Sequence, residues 1–161
     1  MGKIVIVGSG PAGCSAALYA ARAGQEVVVI SMGMGALSKA ELIQNYYGFG
    51  EGITGAELYR QGVAGAKAVG AEFITAEVVG LDYTGSLVVQ TTEGDYPADA
   101  VILATGAGRI APKIAGLAEH EGRGVSYCAT CDAFFYRGKT AAVLGSGESV
   151  SYTHLRAHET K

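Results

Sequence analysis

The sequence predicts an α/β fold built around a parallel sheet, and three observations lead to this prediction. Ile4 to Val7 is a short, unbroken apolar run, as expected of a strand that is buried on both faces. A glycine-rich turn and a helix of small residues, Ala12 to Ala23, follow it. Gln25 to Ile30 then returns to a β-branched strand. Strand, turn, helix and strand form a βαβ unit, whose two strands are parallel.

The next elements are expected to complete this first domain. Met32 to Gly52 is rich in Gly and aromatic residues and predicts a surface loop, with a short helix around Ala40 to Gln44. Thr54 followed by Glu57 is a capping box, which predicts a helix that runs to about Val69.

Alternating residues come next and predict a small antiparallel meander over Glu72 to Tyr83, Ser86 to Thr92 and Asp95 to Pro97. Ala100 to Ala104 is again typical of a buried strand.

The last third of the chain predicts a linker and the start of a second domain. Thr105 to Tyr127 contains five Gly and one Pro and is interpreted as an interdomain linker. Lys139 to Leu144 predicts a strand that leads into Gly145-Ser146-Gly147. A second nucleotide-binding unit therefore begins close to residue 161, where the sequence has no room to finish it.

Composition excludes several classes of protein. With 49% hydrophobic residues and only 17% charged ones, the chain does not have the composition of a disordered protein. Its net charge of −3 argues against a basic nucleic-acid binder, and three Cys argue against a secreted disulfide framework. Ile4 to Ala21 carries no charge, but Gly8 to Pro11 interrupts it, which argues against both a membrane span and a signal peptide. We therefore expect a cytoplasmic protein without a membrane partner.

The first candidate site is the pattern Gly8-x-Gly10-x-x-Gly13, which follows a strand and opens a helix. In such a fingerprint the first Gly makes the tight turn, the second lets the backbone approach a pyrophosphate, and the third lets helix and strand pack closely. The acidic residue that usually ends the second strand is missing, since Ser31 and Met32 follow Ile30. The alternative is a glycine-rich turn that binds no ligand.

The second candidate site is Cys128-Ala-Thr-Cys131-Asp132. Two Cys at this spacing can close a disulfide, their mutual influence favours a reactive thiolate, and the adjacent acid could carry a proton. A zinc site would need two more ligands at comparable spacing, so we predict no metal. The remaining alternative is a pair of buried thiols beside Phe134-Phe135-Tyr136. Cys14 lies among Ala residues and is expected to be a packed core thiol.

Two further segments carry weaker signals. Val101 to Gly106 is a strand that ends in a small turn, which by itself indicates only a core strand. Gly145-Ser146-Gly147 resembles the start of a second dinucleotide fingerprint, although its third small position is Val150.

Taken in order, these motifs resemble those of the low-molecular-weight bacterial thioredoxin reductases and their flavoprotein relatives. The resemblance covers Met1 to about Glu148 and rests on five segments: Gly8 to Gly13, Gln44-Asn45-Tyr46-Tyr47-Gly48-Phe49, Ala104-Thr105-Gly106, Gly124 to Asp132, and Gly145-Ser146-Gly147.

The resemblance implies an incomplete Rossmann-like FAD-binding domain over residues 1–115 and the start of an NAD(P)H-binding Rossmann-like domain over 116–148. Electrons would pass from NADPH through FAD to the redox pair Cys128 and Cys131, with Cys131 nearer the flavin and Asp132 as the acid. The residues implied to contact FAD are Gly8, Gly10, Pro11, Ala12, Gly13, Asn45, Thr105 and Gly106. Gly145 and Gly147 would face NADPH.

The implied partner is thioredoxin or a similar small disulfide protein, and the implied assembly is a homodimer. Gly35-Ala36-Leu37-Ser38 departs from the family's usual Gly-Gly-Gln-Leu stretch, which leaves the partner open. The alternatives are a disulfide reductase for another partner, such as a peroxiredoxin system, and a non-catalytic flavin-binding or redox-sensing module.

Residues 149–161 do not continue the pattern of the family. A DNA sequence that encodes Ser151 to Thr160 resembles a transposase adapter used to prepare sequencing libraries, and its preceding bases would encode Val150. Two His in this tail, His154 and His158, are expected to be solvated rather than metal ligands. We expect that the genuine part of this sequence ends at Glu148, where the gene is cut off within the second domain. The 161-residue chain by itself is expected to bind FAD weakly or not at all and to have no reductase turnover.

Overall fold

The structure, a computed structural model, describes residues 1–108, 112–128 and 132–144. The chain divides into two compact units, Met1–Gly108 and Arg109–Lys161. The domain boundaries expected from the sequence stay predictions.

The first unit is built on a four-stranded parallel sheet. Its strands are β1 (Lys3–Val7), β2 (Glu26–Ser31), β3 (Glu72–Thr75) and β7 (Ala100–Leu103), in the order β3-β2-β1-β7. Helix α1 (Pro11–Arg22) connects β1 to β2, and helix α2 (Gly55–Ala68) precedes β3. The predicted α/β class and the opening βαβ unit are confirmed, and the unit has a Rossmann-like fold.

A three-stranded antiparallel sheet forms the rest of this unit. It consists of β4 (Val78–Tyr83), β5 (Leu87–Thr91) and β6 (Gly94–Ala98), in that order. The predicted meander is therefore correct for its second and third segments, but wrong for Glu72–Thr75. Those residues pair in parallel with β2, from Val28 opposite Glu72 to Ser31 opposite Thr75. A helix precedes them, and a strand that returns after a crossover helix joins the sheet in parallel.

The central strands explain the unbroken apolar runs in the sequence. Val5 and Val7 of β1 pack on one face with Val89 of β5, and Ile6 packs on the other face with Ala17 of α1. Val5 and Ile6 are fully buried. Because both faces of the parallel sheet are covered, an alternating pattern would leave polar side chains in a core.

The loop after β2 differs from its prediction in one detail. Its short helix is a 3-10 helix over Gly35–Lys39, not a helix around Ala40 to Gln44. Ile43 instead forms an isolated antiparallel bridge with Ile53, in which each amide donates to the other's carbonyl at 2.8 and 2.9 Å. Extended backbone at Ile43 excludes the expected helix there.

Helix α2 begins where the capping box predicts. The hydroxyl of Thr54 accepts a hydrogen bond from the amide of Glu57 at 3.2 Å. In a full capping box the carboxylate of Glu57 would accept from the amide of Thr54. Here it instead accepts hydrogen bonds from the following turn of α2, from Arg60 at 2.8 and 2.6 Å and from Gln61 at 2.7 Å. In the described ranges, α2 and the other helices are too short or too polar to cross a membrane.

The second unit contains two short 3-10 helices among its described residues, Ala118–His120 and Ala133–Tyr136. Lys139 to Leu144 is not a strand, which corrects the sequence prediction. Val143 and Leu144 are 50% and 73% exposed, and a strand exists only when its backbone pairs with another strand. Gly145, Gly147, Val150 and the tail lie outside the described residues.

Candidate functional site

Two of the three fingerprint glycines are required by the chain itself. Gly8 has a φ of +107°, and a Cβ there would overlap the carbonyl of Ala104. A Cβ on Gly13 would overlap the carbonyl oxygen of Gly8, where α1 crosses the turn that follows β1. A side chain at Gly8 would push the turn away from the end of β7, and one at Gly13 would push α1 away from the sheet.

Gly10 is different, because no atom of the described residues occupies the space beside it. Its backbone is extended, with φ −67° and ψ −175°, which any residue can adopt. A Cβ built on Gly10 would meet nothing within 4 Å. The open space beside this glycine is part of a groove.

The N-terminus of α1 faces this region without a cap of its own. Gly10 is the N-cap residue, no side chain caps the helix, and its first turn contains no acidic residue. Pro11 occupies the start of the helix, where a missing amide costs nothing. Free amides and the helix dipole give this end a partial positive charge, which suits an anion such as a phosphate.

The groove has a volume of about 510 Å³. It lies at the carboxyl ends of β1, β2 and β7, which is where ligands bind in open α/β sheets. Five residues predicted to contact FAD line it together: Gly8, Gly10, Pro11, Thr105 and Gly106. The 3-10 segment from Gly35 to Leu37 forms another part of the wall.

The structure does not bring the other predicted residues into the groove. Ala12 and Gly13 are not among its lining residues, and Asn45 lies exposed in the loop after the 3-10 helix. Gly145 and Gly147, predicted to face NADPH, lie outside the described residues.

At the end of β2, a cluster of hydroxyl groups stands where a carboxylate was expected. The Ser9 hydroxyl lies 2.7 Å from that of Ser31 and 3.0 Å from that of Tyr59. It also donates to the carbonyl of Gly33 at 3.3 Å. The sequence shows that the acidic residue is absent, but it does not predict this cluster, because nothing in it indicates that Tyr59 of α2 approaches Ser9.

Cys14 packs beneath the same loop. Its thiol is 6% exposed and donates a hydrogen bond to the carbonyl of Ser9 at 3.1 Å. Burial raises the pKa of the Cys14 thiol, which keeps it protonated. The prediction of a packed core thiol is confirmed.

The second candidate site lies in the second unit, and the structure describes Cys128 and Asp132 but not Cys131. Cys128 is disulfide-bonded. The amide of Asp132 donates to the carbonyl of Cys128 at 3.0 Å. Ser126, which sequence reasoning missed, connects the two, because its hydroxyl donates to the carboxylate of Asp132 and accepts from the amide of Cys128 at 3.1 Å. In the described ranges, no three metal-binding side chains come together.

Comparison with known proteins decides the family. The profile of the pyridine nucleotide-disulphide oxidoreductases matches residues 2–149. The chain belongs to this family. It is 46% identical over 152 residues to the bifunctional thioredoxin reductase/thioredoxin of Mycobacterium leprae, and the aligned region covers 91% of this chain and 33% of that protein. It is 40% identical over 152 residues to the thioredoxin reductase of Streptomyces coelicolor, which covers 91% of this chain and 47% of that protein.

Solved structures of family members agree with the fold. The atypical thioredoxin reductase TRi of Desulfovibrio vulgaris Hildenborough superimposes with a TM-score of 0.63 at 44% identity, over 86% of this chain and 47% of that one. The resemblance to thioredoxin reductases is thereby confirmed. This pyridine nucleotide-disulphide oxidoreductase chain spans a third to about half of the curated relatives it matches.

Proposed function

We propose that the protein is an FAD- and NADPH-dependent disulfide reductase of the thioredoxin reductase type. The observation that carries the proposal is the space beside Gly10 in the groove, which the chain leaves open at an uncapped helix N-terminus. The family match and the Cys128 site in the same chain support it.

The uncapped N-terminus of α1 beside the groove supports the binding of a pyrophosphate such as that of FAD. Gly8, Gly10 and Pro11 would hold the pyrophosphate against the amides of α1, and Thr105 and Gly106 would line the path towards the flavin. Ala12, Gly13 and Asn45 complete the proposed FAD-binding set. When bound, FAD supplies the redox chemistry that transfers electrons from NADPH to a disulfide. Gly145 and Gly147 are proposed to bind NADPH.

Cys128 and Cys131 would carry the electrons to the substrate. In the reduced pair, the Cys128 thiolate attacks the partner disulfide and forms a mixed disulfide, and one partner sulfur leaves as a thiolate. Cys131 then attacks Cys128, which releases the second partner sulfur and restores the disulfide. Asp132 is proposed to accept and return the thiol proton, and Ser126 holds its carboxylate next to Cys128.

The partner is proposed to be thioredoxin or a similar small disulfide protein, and the full protein a cytoplasmic homodimer. Gly35 to Ser38, where the sequence departs from the family's usual stretch, forms most of the 3-10 helix beside the groove. This departure favours a second candidate, a reductase for another partner such as a peroxiredoxin system. Rates of NADPH oxidation with thioredoxin and with rival disulfides would separate the two.

The 161-residue chain by itself is proposed to bind FAD weakly or not at all and to have no reductase turnover. The relatives contain roughly as much sequence again that has no counterpart in this chain. In the four-stranded sheet β7 is an edge strand, and Leu103 at its end is 64% exposed. A purified chain that carries one FAD per molecule in its absorbance spectrum would contradict this proposal.

Titration of FAD with the chain, followed by flavin fluorescence, tests the proposed site. Gly10→Ala should weaken FAD binding by roughly tenfold or more, because the methyl group would stand where the pyrophosphate approaches. Gly50→Ala is the matched control, since Gly50 also has open space around it and no positive φ. The proposal fails if Gly10→Ala binds FAD as well as Gly50→Ala does.

A further inference from the structure

We propose that Met32 and Met34 form a modification site on the wall of the groove, at which a peroxide oxidises their thioethers to sulfoxides and so changes both positions from apolar to polar. Both residues line the groove, and they lie just after β2 in the sequence. The inference rests on the proposed function, because the change is expected to weaken the binding of FAD in the same groove.

Both methionines are accessible to a small oxidant. Met32 is 71% exposed and Met34 is 36% exposed. Neither is part of the two buried clusters of the first unit. Their apolar surface is therefore available to a ligand of the groove and is not used by the core. Oxidation of such a thioether replaces a flexible, apolar side chain with a polar and chiral one.

Two hydrogen bonds hold the backbone of this segment. Between the methionines, the carbonyl of Gly33 accepts from the hydroxyl of Ser9, a buried residue, at 3.3 Å. The carbonyl of Met34 accepts from the amide of Leu37 at 3.2 Å, at the start of the 3-10 helix. Because the backbone is fixed at both points, we expect an oxidised methionine to remain on the wall of the groove.

The other sulfur atoms that the structure describes do not compete for the oxidant in the groove. Cys14 is buried and its pKa is raised, whereas the thiolate is the form that reacts. Cys128 is disulfide-bonded. Met1 is fully exposed, but it is not among the residues that line the groove. In the disulfide form of the described chain, a peroxide in the groove therefore meets the two thioethers.

The reaction needs a peroxide as its only co-reactant. With hydrogen peroxide, a sulfur lone pair attacks one oxygen, an S–O bond forms and the O–O bond breaks. The sulfur is oxidised by two electrons, the peroxide is reduced, and the second oxygen leaves as water with the proton of the first. Methionine sulfoxide reductases restore the thioether, so the modification is reversible. The groove would thus lose two apolar contacts with its ligand under oxidising conditions and regain them afterwards.

Peptide mass spectrometry of the 161-residue chain, treated with hydrogen peroxide in its disulfide form, tests the site. Met32 should oxidise within roughly threefold of the rate of Met1, since both are exposed. Met34 should react more slowly in the folded chain, and urea should bring it to the rate of Met32. The inference is overturned if Met32 reacts more than roughly tenfold more slowly than Met1.

NMR of the same chain shows whether oxidation changes the groove. The amide signals of Gly10 and Gly106, which line the groove outside the modified segment, should shift after peroxide treatment. The matched control is the double variant Met32→Leu with Met34→Leu, which keeps apolar side chains of similar size but cannot form a sulfoxide. In this variant Met1 still oxidises, and the two amide signals should not move. Equal shifts in variant and wild type, or no shift in the wild type, would overturn the inference.

Flavin fluorescence measures the consequence for FAD. After oxidation the wild-type chain should bind FAD roughly threefold or more weakly, the scale of one lost apolar contact, and the double variant should bind it as before. An unchanged affinity of the wild type would contradict the inference and leave the FAD proposal standing. For a chain that binds FAD too weakly to titrate, the amide signals decide the inference without a ligand. Failure of the Gly10→Ala test would instead remove the FAD proposal and leave the oxidation of the two methionines in place.

Discussion

The carbonyl oxygen of Gly8 occupies the place that a Cβ on Gly13 would need, so the turn after β1 and the first turn of α1 touch backbone to backbone. The glycine pattern thus combines two physical roles. Gly8 and Gly13 let the chain pack on itself, whereas Gly10 has open space beside it on the groove.

This division predicts losses of stability of different size for equivalent substitutions. Gly13→Ala should lower the free energy of unfolding by about 2 kcal/mol or more, because the new Cβ would force α1 off the sheet. Gly10→Ala should lower it by less than about 1 kcal/mol, the scale of a poorer N-cap residue. Urea unfolding followed by circular dichroism compares the two variants. Equal losses would refute the assignment of separate roles.

The hydrogen bond that caps α2 should make its own measurable contribution to the stability of the unit. Thr54→Ala removes the acceptor for the amide of Glu57 and should cost about 1 kcal/mol of stability. Thr54→Ser should restore most of it, because the hydroxyl remains. Thr84→Ala, in the exposed turn after β4, is the control and should have little effect. Urea midpoints measure all three, and a neutral Thr54→Ala would show that the cap is dispensable.

The carboxyl of Glu57 should titrate far below the usual range. Hydrogen bonds from Arg60 and Gln61, with the charge of Arg60, lower its pKa from 4.5 to about 2. Since the pKa in the folded state is the lower one, the stabilisation is present above pH 4.5 and is lost as the pH falls towards 2. Carbon NMR of the side chain should show this titration, and Arg60→Gln should move it back towards 4.5. An unchanged midpoint in Arg60→Gln would contradict the assigned cause.

Cys14 should resist thiol reagents while the protein is folded. Its thiol is buried, its pKa is raised, and the thiolate is the form that reacts. After reduction of the chain at neutral pH, mass spectrometry should find Cys128 alkylated before Cys14. Addition of urea should make Cys14 react as well. Fast alkylation of Cys14 in the folded protein would show that the loop above it opens readily.

Sequence reasoning predicted the elements whose pattern is local. The apolar run of β1, the glycine turn and the Thr54 cap each depend on neighbours in the chain, and each is found in the structure. The sheet to which Glu72–Thr75 belongs is not a local property, since it depends on where α2 returns the chain. Lys139 to Leu144 was predicted as a strand from its apolar residues alone, but a strand also requires a partner.

For the candidate site, the sequence identified the residues but not how they meet. It placed Gly8, Gly10 and Thr105 in one FAD site, and the structure places them on one groove. It could not place Tyr59 beside Ser9, since 50 residues separate them and only tertiary packing joins them. The same reason explains why Ser126 was overlooked, although it lies close to Cys128 in the sequence. A hydroxyl has no distinctive pattern until its partners are known.

The strand order has a consequence for how the protein is made. β7 pairs with β1, so Val5 pairs with Val101 although all the other strands of the unit lie between them in the sequence. Contacts between residues so far apart form late, because a long loop must close first. The groove has β1 on one side and the segment after β7 on the other, so we expect it to be completed last during synthesis on the ribosome. Until residue 106 has emerged from the ribosome, the glycine turn after β1 would lack Ala104 to Gly106, which line the groove beside it. We expect that the nascent chain does not bind a nucleotide before then.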